Sequence, residues 1–87
     1  MKGGDYIVNV KVIGANCSNG MKILKNLSKV ERELDMEFNI EKIDSTYKKK
    51  YNINVIPALM IEDKVVSTGN VLTDREIKNY VKELCLD

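Results

Sequence analysis

The chain has 87 residues, enough for one small core, with 44% hydrophobic and 31% charged residues and a formal net charge of +1. Acidic and basic residues are mixed along it, so the charge balance gives no reason to expect a nucleic acid partner. It contains no histidine and two cysteines, Cys17 and Cys85, which excludes histidine acid–base chemistry and leaves a structural zinc site almost nothing to build from.

The opening stretch, MKGGDYIVNVKVIG, alternates apolar and polar residues, so it reads as a strand and not as a secretory leader. No segment is long and apolar enough to span a bilayer. The expectation is a cytoplasmic protein with no membrane partner, in a compartment where a structural disulfide is unusual. The strand runs from about Tyr6 to Ile13, and its Val and Ile content suits a central position. GANCSNG, residues 14 to 20, follows. Ile23, Leu24, Leu27, Val30 and Leu34 then fall at helical spacing in a helix from about Ser18 to Asp35. EFNIEKI, residues 37 to 43, returns to alternation, with Phe38, Ile40 and Ile43 as buried positions, the last breaking the period. Strand, helix, strand implies a right-handed parallel unit.

Asp44 or Ser45 can cap a short helix through Tyr51. Tyr47 and Tyr51, at i, i+4 spacing, share a face that either packs this helix on the sheet or borders a groove. Lys48-Lys49-Lys50 reads as its solvated side. The helix ends before NINVIP, because the residue ahead of a proline avoids helical geometry. ALMIED forms a short strand, Asp63-Lys64 turns the chain, and VVS returns as a hairpin partner without an Asn-Gly signal. TDRE at 73 to 76 has capping-box spacing, with Thr73 as the cap and Glu76 at the third helical position. Ile77, Tyr80, Val81 and Leu84 stripe the last helix. Asp44, Asp63 and Asp74 read as turn or capping groups. The order β-α-β-α-β-β-α predicts one α/β domain over residues 1–87, a four-stranded mixed sheet with helices covering both apolar faces. Calcium-loop and phosphate-loop spacings are absent, and no cofactor or metal is implied.

Chemistry centres on Cys17, placed where a strand feeds a helix. The first-turn N–H groups of a helix lack backbone partners and favour negative charge, which suits a reactive thiol. The alternative is a buried cysteine acting as a small hydrophobe. The polar neighbours Asn16, Ser18 and Asn19 favour partial exposure. Ile56-Pro57, just before a strand, is the second feature, and by itself marks only a local break.

Gly-x-x-Cys after the first strand, followed about forty residues later by IPALMIEDKVVSTG, resembles the thioredoxin superfamily. The likeness extends over nearly the whole chain and is strongest to the compact thioredoxin- or glutaredoxin-like type called redox-active disulfide proteins. The resemblance implies a thioredoxin-like fold with Cys17 as nucleophile and Pro57 as a cis-proline facing it. It further implies that the backbone of Ile56 pairs with an extended substrate peptide, with Asn16, Ser18, Gly20 and Gly69 around the same groove. The chain departs from the pattern at position 20, where glycine stands in place of the second cysteine and is expected to open space beside Cys17.

Without that thiol, a mixed disulfide on Cys17 must be released by an outside thiol such as glutathione, acting as co-substrate, or by the substrate itself. The leading expectation is monothiol exchange with a small thiol or protein disulfide, by a monomer or weak dimer. The alternatives are a peptide-binding or adaptor module with a degenerate redox site, and a domain retaining no chemistry. Cys85 is no substitute: the last helix starts near Gly69, at the Cys17 end, and carries Cys85 about 18 Å away, beyond the roughly 7 Å between alpha carbons that a disulfide spans.

Overall fold

The computed structural model describes residues 3–85. The first two residues of the stretch read above as lacking leader character lie outside the described residues. Seven elements follow in order: β1 (Gly3–Ile13), α1 (Ser18–Leu34), β2 (Met36–Ile43), a 3-10 helix (Ser45–Tyr51), β3 (Ala58–Ile61), β4 (Lys64–Thr68) and α2 (Asp74–Cys85). The sheet order is β2-β1-β3-β4. β1 runs parallel to β2 and antiparallel to β3, and β4 closes a hairpin on β3. The architecture is the expected thioredoxin-like one, a mixed four-stranded sheet flanked by helices.

Period-two alternation in β1 sends Val8, Val10 and Val12 to one face of the sheet and Ile13 to the other. On the first face they join Leu59 and Ile61 of β3, Ile23, Leu27 and Val30 of α1, and Ile77 and Val81 of α2 in the main core. Both long helices therefore share one face. The second face is covered only at one end, where Ile13, Ile43, Ala58 and Met60 pack with Ile53, Tyr51 and Ile56. This explains why Ile43 breaks the alternation of β2: it belongs to the second core, whereas Phe38 and Ile40 belong to the first. The rest of the second face is open to solvent and mixed, with Ile7 and Val65 exposed, Asn39 donating to Asn9 at 3.1 Å and Lys11 donating to Asp63 at 3.1 Å.

The caps form where local chemistry predicts them. Asp44 accepts the Thr46 N–H at 2.9 Å, and Thr73 and Glu76 bond reciprocally at the start of α2. Two expectations need correction. The hairpin turns at Glu62-Asp63, not Asp63-Lys64, with both residues left-handed at φ 51° and 66°. That is a two-residue turn whose twist matches the strands, and Glu62 is held in it by bonds in both directions to the Asn9 backbone. Second, the segment after Asp44 is a 3-10 helix with three residues per turn, so Tyr47 and Tyr51 do not share a face. Tyr51 packs on the second core, while Tyr47 is 57% exposed.

Candidate functional site

The turn from β1 into α1 is pinned at its base, where Gly14 and Ala15 both donate their N–H groups to the Ile43 carbonyl, at 2.8 and 3.2 Å. Gly14 takes φ +88°, a conformation that costs little only for glycine. Its carbonyl turns back and accepts the Cys17 N–H at 3.0 Å. Cys17 is the N-cap of α1, with extended backbone (φ −92°, ψ 157°), and its carbonyl accepts the first helical bond from Met21 at 3.0 Å. No side chain caps this helix and no acidic residue stands in its first turn. The N–H groups of Ser18, Asn19 and Gly20 therefore lack intrahelical acceptors beside a half-buried thiol.

Gly20 is buried, and here the expectation of open space fails. A Cβ on this residue would stand 2.1 Å from the Gly14 carbonyl oxygen and 2.9 Å from the Ala15 alpha carbon. The position is filled by the backbone of the turn, so no side chain fits without moving it.

The other side of Gly14 meets the chain entering β3. A Cβ there would lie 3.2 Å from Ile56 Cβ and 3.5 Å from Pro57 Cα. The Ile56–Pro57 peptide is cis. The Pro57 carbonyl accepts the Gly69 N–H at 2.7 Å. Gly69, at φ +75°, lies so close to Val55 that a Cβ would come within 2.8 Å of Val55 Cγ1. The backbone N–H and carbonyl of Ile56 have no backbone partner among the described residues.

The family model described as a thioredoxin domain matches residues 8–82. The chain belongs to the thioredoxin domain family. No curated protein matches it significantly.

In this thioredoxin domain Cys17, Gly20, Ile56, Pro57 and Gly69 form one connected cluster through Gly14. Asn16 sits at its border: its Oδ1 accepts the Ser45 N–H at 3.1 Å, tying the Cys17 turn to the 3-10 helix. Ser18 is exposed in the first turn and makes no hydrogen bond to the other segments of the cluster. Cys85 ends α2, is partly buried against the main core, and falls outside the span that matches the thioredoxin domain. A helix of 12 residues places it about 18 Å from the start of α2, and it is not bonded to Cys17.

Two residues of the cluster escape a sequence reading. Gly14 had a usable signal, being a glycine directly after a β-branched strand at a strand-to-helix turn. Val55, 55% exposed, had none, because its role is contact with a glycine fourteen positions on.

Proposed function

We propose that this thioredoxin domain carries out thiol–disulfide exchange through the single thiol of Cys17. The observation that carries the reading is the cap of α1. Cys17 occupies it with no side-chain competitor and no first-turn acid, so its thiol stands at a helix start whose first-turn N–H groups have no intrahelical acceptor. Cys17 thiolate attacks one sulfur of a disulfide RS–SR′, forming Cys17–S–SR and releasing R′S⁻. An external thiolate R″S⁻ then attacks the R-bearing sulfur, giving RS–SR″ and restoring the Cys17 thiolate. The disulfide is a glutathionylated or small-molecule one, or that of a protein, and the external thiol is a small one of the glutathione type. A reducing compartment such as the cytoplasm supplies that thiol.

A second reading is favoured by the open backbone of Ile56. An extended peptide can pair there without any sulfur chemistry, which is the behaviour of a binding or adaptor module.

The test uses Cys85→Ser protein mixed with oxidised glutathione, followed by mass spectrometry and by turnover on a glutathionylated peptide with reduced glutathione as the second substrate. The expected result is one glutathione adduct on Cys17 and turnover that disappears in Cys17→Ser. Absence of both the adduct and turnover overturns the exchange reading. Peptide affinity that survives Cys17→Ser but falls in Ile56→Pro, which removes the backbone N–H, identifies the binding module instead.

A further inference from the structure

The solvent side of α1 carries a row of cations that thiol exchange does not use. Lys22, Lys25, Lys29 and Arg32 are all exposed. At 3.6 residues per turn they fall within about 80° of one another, on the side away from the buried Ile23, Leu27 and Val30. None of the four side chains makes an ion pair among the described residues. The two acids of α1 are engaged on its flanks: Glu33 pairs with Lys78 of α2, and Glu31 accepts the Phe38 N–H at 2.7 Å. Lys25 and Lys29 stand at i, i+4, a spacing at which like charges destabilise a helix. The whole chain carries only +1, so the residues outside this row are net negative and charge is unevenly divided over the surface. An apolar spot lies at the start of the row. Met21, 60% exposed, and Leu24 line an open hollow of about 500 Å³ whose other walls are Lys22, Lys25 and Ser28. The Met21 N–H bonds to the Cys17 carbonyl, so the hollow begins one turn from the thiol.

We propose that this face of α1 is a docking surface for an acidic segment of a partner protein. An apolar side chain of that segment sits in the Met21–Leu24 hollow, and its carboxylates run along Lys22, Lys25, Lys29 and Arg32. The row extends about 15 Å, the span of roughly five extended residues. The proposal goes beyond thiol exchange and stands without it. Two other polyanions match the face less closely. A nucleic acid backbone supplies charge but leaves the Met21–Leu24 hollow unfilled. A bilayer surface takes up a helix through a broad apolar face, and the apolar face of α1 is committed to the main core.

The test uses the full chain with Cys17→Ser and Cys85→Ser, so that sulfur chemistry contributes nothing and the outcome is independent of exchange at Cys17. The probe is a fluorescein-labelled, cysteine-free, unstructured peptide rich in Asp and Glu with a single leucine. Fluorescence anisotropy in low-salt buffer is expected to show saturable binding that weakens as salt is raised. Adding Lys25→Glu and Lys29→Glu is expected to weaken it by about tenfold or more, since two exposed attractions become repulsions. Replacing the leucine of the peptide by serine is expected to weaken binding to the parent as well. If the Glu variant does not fold by circular dichroism, Lys25→Gln with Lys29→Gln is read in its place. Absence of binding by the parent, equal affinity in the folded charge variant, or indifference to the leucine overturns the proposal. Cosedimentation with phosphatidylserine vesicles, or duplex DNA displacing the probe at lower concentration than the unlabelled peptide does, overturns it in favour of that polyanion.

Discussion

The carbonyl oxygen of Gly14 lies 2.1 Å from the point where any Cβ on residue 20 would stand. No side chain therefore fits at position 20 unless the turn moves. The turn from Gly14 has closed over the place where a side chain would begin, next to the Cys17 cap.

The stability of Gly20→Ala follows with an inverted sign. At an exposed position inside a helix, glycine to alanine gains about 1 kcal/mol. Here the gain is outweighed by overpacking against backbone, and the net effect is a loss of about 1–3 kcal/mol. Urea denaturation with an unchanged m-value checks it. Gly20→Cys meets the same obstacle. After oxidation its intact mass and tryptic map should show no disulfide between the introduced thiol and Cys17; a protein of wild-type stability carrying that bond would refute the contact.

Asn16→Ala removes the acceptor for the Ser45 N–H. The bond is exposed, so the expected cost is about 0.5–1 kcal/mol. The diagnostic change is local: amide exchange at Ser45 accelerates, while Cys17 still forms its adduct with oxidised glutathione at close to the parent rate. A large fall in that rate would give Asn16 a direct part in substrate contact.

Lys11 carries the pH dependence that the structure supports. The hydrogen bond from its ammonium to Asp63, with help from the Asp63 and Glu41 charges, raises its pKa above the ordinary 10.5. A cation whose folded pKa exceeds its unfolded one contributes fully below the unfolded value, and that contribution is lost as pH climbs through the raised value. Asp63 is 83% exposed, so solvent screens the pair and its worth at neutral pH is below about 1 kcal/mol. Lys11→Met should be slightly less stable than the parent at neutral pH, with the gap closing in strongly alkaline buffer and in high salt. Denaturation midpoints across that range decide it.

The fold was legible wherever the determining interactions are local. The apolar spacing of Ile23, Leu27 and Val30 marks α1, and the Thr73–Glu76 box marks the start of α2, because each signal is written within one or two turns. The hairpin turn was misplaced by one residue because Glu62 and Asp63 hold left-handed geometry through Asn9 and Lys11, partners about fifty residues away in sequence. The 3-10 geometry of Ser45–Tyr51 was hidden for a related reason: three lysines and two tyrosines suit an α-helix equally well, and the choice falls to packing of Tyr51 on the second core. At the site, Cys17 and Pro57 stand out as letters. The role of Gly20 becomes visible only when the turn from Gly14 folds back over it, since a glycine in a helix reads alike whether it faces water or backbone.

The two cores also give the domain two different thresholds for opening. The main core ties β1, β3, α1 and α2 together, so it is lost as a unit. The second core is a small patch in which Ile53 and Ile56 anchor an irregular segment with few ladder bonds of its own. Segment 52–57 can therefore lift from the sheet while both long helices stay seated, and its amides should lose protection from hydrogen exchange before those of β1 do. The segment that meets the Cys17 turn is thus expected to open first, and the helix that presents the thiol to open only with the main core.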